Sequence, residues 1–89
     1  MKVLEIKSIS KEESFIYYIN RYKGMAVLEI LSNQVEIPVT FAIETSPFSK
    51  KTIEIGALPN DLNYPVMPVQ KALREYILTI DKSGVLPQS

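Results

Sequence analysis

The chain has 89 residues, 46% of them hydrophobic, which suffices for one compact domain spanning 1–89 and excludes a disordered tail. Ten Lys and Arg balance ten Asp and Glu, so no global basic excess points to nucleic acid. With no Cys and no His, disulfides, thiolate chemistry, imidazole catalysis and the common zinc ligand sets are excluded.

Met1-Lys2-Val3-Leu4-Glu5 reaches charge too soon for a signal-peptide core, and no apolar run approaches the length of a membrane span. A cytoplasmic location is the expectation. The first element, 2–9, reads as a strand. Residues 11–23 support two readings. Ser10 and Glu13 make a capping-box pattern, Gly24 could close a helix, and Phe15, Ile19 and Tyr22 share a helical face. Against this, Phe15-Ile16-Tyr17-Tyr18-Ile19 is dense in β-favouring residues, with Ser10–Glu13 then a hairpin turn. We favour a strand over 14–20. Met25 to Leu31 is apolar at nearly every position and predicts a strand covered on both faces, over 25–32.

The clearest strand is 35–44. Val35, Ile37, Val39, Phe41 and Ile43 recur at period two, while Glu36, Thr40 and Glu44 point the other way. Pro38 cannot donate to a ladder, which predicts an edge or a bulge. Ser46-Pro47-Phe48-Ser49-Lys50 reads as a turn, and 51–57 alternates again to complete a hairpin. Val69, Leu73, Tyr76, Ile77 and Ile80 then form one helical stripe. The helix is expected to start near Pro68 and to end at Gly84 in a Schellman close, with Val85 touching Ile80. The fold class is therefore α+β: an antiparallel meander of four or five strands with one C-terminal helix on one face. The helix stripe should pack on Val39, Phe41, Ile43, Ile53 and Ile55.

Five such strands leave a problem of cover. Phe15, Tyr17 and Ile19 alternate with Ile16 and Tyr18; Met25, Val27 and Leu31 alternate with Ala26, Leu28 and Ile30. One helix shields one face, and each large apolar side chain left in water forgoes about 1.5–3 kcal/mol. A barrel, a second copy or another partner could cover the rest, and the homodimer ranks first. Met67, Lys71, Arg74 and Leu78 form a further stripe roughly opposite the buried one. Contact candidates are Tyr18, Met25, Val27, Met67, Lys71, Arg74 and Leu78.

Little in the sequence supports catalysis. Its serines have no imidazole, and Ser49 beside Lys50 and Lys51 lies in a turn with no pocket to depress a lysine pKa. Glu12-Glu13 is the only adjacent acidic pair, and Glu36, Glu44 and Glu54 read as a solvated strand face. Pro59–Asn63 lacks the length and terminal Glu of a calcium loop, and the three glycines are isolated, so no phosphate cradle forms. No metal or cofactor is expected. The functional expectation is a non-enzymatic binding protein acting as a homodimer. The alternative is a single-strand nucleic-acid binder using Tyr17, Arg21, Tyr22, Lys23, Lys50 and Lys51 as a stacking and charge surface.

Overall fold

The computed structural model describes residues 1–87 and consists of four strands in sequence order followed by one helix. The strands are β1 (Lys2–Glu12), β2 (Ile19–Ile30), β3 (Asn33–Thr45) and β4 (Lys51–Ile55); the helix is α1 (Val66–Lys82). All neighbours are antiparallel, so the α+β meander with a C-terminal helix is the observed architecture.

Its spine is the β2–β3 hairpin, paired without a register shift from Ile19 opposite Glu44 to Ile30 opposite Asn33. The two-residue turn places Leu31 at φ 50° and Ser32 at φ 67°, the twin positive angles of a type I′ turn. Period two then sorts the side chains. Tyr22, Ala26, Leu28 and Ile30 of β2 join Ile37, Val39, Phe41 and Ile43 of β3 on the helix side. Ile6 of β1 and Ile53 of β4 extend this face, and Val69, Leu73 and Ile77 press onto it. Tyr76, Ile80 and Ile55 pack at its margin, as the helical and strand periodicities predict.

The strand expected over 14–20 is instead a loop followed by the start of β2. The Ser14 hydroxyl accepts from the Ile16 amide at 3.3 Å, and the Ile19 amide donates to the Ile16 carbonyl at 3.0 Å. These local bonds turn the chain, so Tyr22-Lys23-Gly24 lies inside one long strand rather than between two. Gly24 is there because β1 comes close. A Cβ at Gly24 would sit 3.1 Å from Ile6 Cγ2 and 3.1 Å from the Lys7 carbonyl. β1 itself is irregular, with register shifts at Val3/Glu5 and Lys7/Ser10 and Ser8 at φ 56°. Pro38 stands beyond the last β3–β4 pair, Phe41–Ile55, where its missing N–H interrupts no ladder. Regular β4 ends at Ile55, two residues short of the expected limit.

The helix starts at Val66, two residues earlier than expected, with Pro68 in its first turn, and Asn63 takes φ 57° in the approach. It ends as the sequence predicts. Gly84 takes φ 71°, its amide donates to the Asp81 carbonyl, and the Val85 amide donates to the Ile80 carbonyl. Val85 nevertheless stays exposed, and Leu86 is the residue that returns to the core.

The far face of the sheet differs from the apolar surface expected. Leu31 is in the turn, and Phe15 to Tyr18 are in a loop, which leaves Met25 and Val27 among polar neighbours. Lys7 opposes Met25 from β1 and Glu36 opposes Val27 from β3. Lys7 Nζ and Glu36 Oε1 meet at 3.1 Å across β2, and Val27 is only 6% exposed. Long charged side chains carry aliphatic stems that shield apolar neighbours, so this face needs less outside cover than the alternation implies.

Leu31 is 82% exposed at an angle that costs an L-residue roughly 1–2 kcal/mol. Replacing Leu31 by Asn and Ser32 by Gly, the residues such turns prefer, should raise unfolding stability by about 1 kcal/mol in urea titration. Unchanged stability would contradict the turn geometry.

Candidate functional site

In a four-strand meander the β1–β2 and β3–β4 loops fall at one end and the β2–β3 turn at the other. The 40 Å long dimension of the molecule corresponds to a strand of 12 to 13 residues at about 3.3 Å each, so these loops crown a narrow tip. Loop 13–18 brings Phe15, Ile16, Tyr17 and Tyr18; turn 46–50 brings Pro47 and Phe48. Phe15, Tyr17 and Phe48 are 101%, 94% and 92% exposed.

Both loops are well defined by backbone bonds. The Thr45 amide donates to the Tyr18 carbonyl at 2.9 Å, tying the end of β3 to the first loop. In the second, the Ser46 hydroxyl accepts from the amides of Phe48 and Lys50 at 3.2 and 3.1 Å, and Ser49 takes φ 63°. Phe48 is thereby held outward. The Tyr17 and Tyr18 rings meet edge to face, 5.6 Å apart at 89°. Between the loops runs an open groove of 690 Å³, lined by Tyr17, Tyr18, Asn20, Glu44, Thr45, Ser46 and Pro47.

The contact candidates read from the sequence fall on three separate surfaces. Tyr18 is at the tip. Met25, half-buried, and Val27, buried, are on the far face of the sheet. Met67, Lys71, Arg74 and Leu78 are all exposed on the outside of α1, where they do form the expected stripe, with the sheet between them and Met25. The nucleic-acid set is scattered too. Tyr17 and Lys50 are at the tip, Arg21 and Lys23 face away from the helix, and Lys51 forms an ion pair with Asp81 at the end of α1. Tyr22 is a correction: it points inward opposite Phe41, and their rings stack at 5.1 Å, leaving no face for a base.

Burial holds the Tyr22 hydroxyl above its ordinary pKa of 10.0; the Asp81 carboxylate raises it further, and Lys51 lowers it. An acid whose folded pKa is raised adds stability that is complete below its unfolded pKa and is lost as pH climbs through the folded value. Stability should therefore fall above about pH 10, and Tyr22→Phe should flatten that alkaline limb in denaturant midpoints measured across pH.

Phe15, Ile16, Pro47 and Phe48 are not among the contact residues that the sequence singles out. Their signal is topological: two turns of one meander, two apart in order, share an end. Among the described residues no three Asp or Glu side chains gather as a metal site would require, and no helix is long and apolar enough to cross a membrane. Replacing Phe15 or Phe48 by Ser should change unfolding free energy by less than about 0.5 kcal/mol, against about 3–5 kcal/mol for a buried Phe cut to Ala. A large loss on chemical denaturation would show that these rings are packed.

The chain belongs to the BB_0187 family, whose model matches residues 1–82 and so takes in the whole sheet and the helix. No curated protein and no solved structure matches it.

Proposed function

We propose that this family member is a small non-enzymatic interaction protein of the cytoplasm that engages its partner through the aromatic end of its sheet. One observation carries the reading: two separate loops bring Phe15, Tyr17 and Phe48 to the same end and hold them in water. Each such side chain forgoes about 1.5–3 kcal/mol that burial would return, and aromatic residues are the side chains that most often dominate contact energies. The far face, dressed with Lys7, Lys23, Glu36 and Glu54, offers no comparable apolar surface.

The lack of His and Cys supports a role without catalysis. Nucleic-acid binding ranks lower, because phosphate-contacting cations need to share a surface with the stacking rings. Here Arg21 and Lys23 diverge from Tyr17, and Lys51 is already engaged by Asp81.

A photoreactive phenylalanine analogue tests the reading in cells. Placed at Phe15 or Phe48 it should yield discrete cross-linked species, and placed at Gln34 or Glu54, both exposed on the far face, it should not. Cross-links confined to positions 34 and 54, or none anywhere, would overturn the assignment of this end.

A further inference from the structure

We infer that the surface met by the aromatic end is the same end of a second copy, docked head to head; this rests on the reading of that end as the contact surface. The β2–β3 ladder divides the tip evenly. Loop 13–18 lies on its β1 side and turn 46–50 on its β4 side. A two-fold axis perpendicular to the sheet, between β2 and β3, sets each loop of one copy against the other loop of the second.

The loops are matched for that exchange. Each presents an outward phenylalanine with a charged residue two positions away, and the charges are opposite: Glu13 before Phe15, Lys50 after Phe48. Both charges are exposed, and among the described residues neither joins an intramolecular ion pair. Rotating one copy end for end sets Glu13 toward Lys50 of the other and Lys50 toward Glu13, so one sequence supplies both halves of two equivalent pairs. Phe15 and Phe48 meet across the axis in the same way, and burial of their rings supplies the attraction. Like loops facing like would oppose equal charges instead.

The cross-section of 24 × 23 Å keeps the contact near the small end of stable interfaces, about 1,200 Å² in total. Association should therefore depend on concentration, with a dissociation constant on the order of 10 μM.

Sedimentation equilibrium of the purified chain at low salt is the test. The weight-average mass should rise from 10.1 kDa toward twice that value with concentration, and the F15S/F48S variant should remain at 10.1 kDa with an unchanged circular-dichroism spectrum. E13K and K50E should each weaken association about tenfold, and an equimolar mixture of the two should regain the original affinity. E54K and K23E carry the same net-charge changes on the far face and should associate as the original chain does, alone or mixed. A chain that stays monomeric at millimolar concentration overturns the proposal, as does a mixture that fails to restore association or that restores it equally for the far-face pair. So does a monomer that floats with phosphatidylcholine/phosphatidylglycerol vesicles, which would assign the end to a lipid surface. If the purified chain is monomeric while cross-links at positions 15 and 48 lead to heavier species, self-docking falls and the aromatic end stands. If the cross-links are absent as well, both fall.

Discussion

The pairing of β2 with β3 is the constraint from which the rest follows. It runs from Ile19–Glu44 to Ile30–Asn33 in unbroken register. Because side chains alternate along a strand, a slip of one residue would turn Tyr22, Ala26, Leu28 and Ile30 to water and Arg21, Lys23, Met25 and Glu29 to the helix. The tight turn at Leu31 and Ser32 pins that register despite the unfavourable angle at Leu31. The β2–β3 pairing also fixes polarity: with β2 and β3 set, the loops that lead into β2 and out of β3 emerge together.

That polarity separates two kinds of apolar residue in this chain. Those on the inner face satisfy the core, and the stacking of Tyr22 on Phe41 shows an aromatic residue used for packing. Those in the loops contribute nothing to it. Phe15 and Phe48 sit where turns usually carry small polar residues, and Ser46 and Ser49 supply the turn chemistry around Phe48. The backbone of that turn is thus stabilised independently of the side chain it displays. A display arranged in this way tolerates substitution of the ring without loss of the fold.

Most of the fold was legible in the sequence because alternation over 35–44 and the helical stripe from Val69 to Ile80 each have one unambiguous period. The Schellman close was equally plain, since Gly84 and Pro87 leave the chain few alternatives. What misled was Phe15-Ile16-Tyr17-Tyr18-Ile19. High β-propensity reports how well a residue suits a half-buried pleated surface, and it does not say that such a surface is present. Gly24 misled for the complementary reason: a residue that reads as punctuation was selected by the approach of β1. The functional end was hidden because neither loop is notable alone. Only the order of strands in the sheet brings Phe15 and Phe48 together, and that order is a tertiary fact. The stripe of Met67, Lys71, Arg74 and Leu78 was legible and is formed, since it depends on one helix only.

The two outer strands bear on how this protein can behave when crowded. β1 is interrupted twice in its register and bends at Ser8, and β4 has five residues. Neither margin offers a long straight row of free amides and carbonyls on which another strand could template itself. Any gathering of these molecules is thereby steered toward closed complexes of fixed size, and the endless ribbon that an uninterrupted margin would permit has no place to begin.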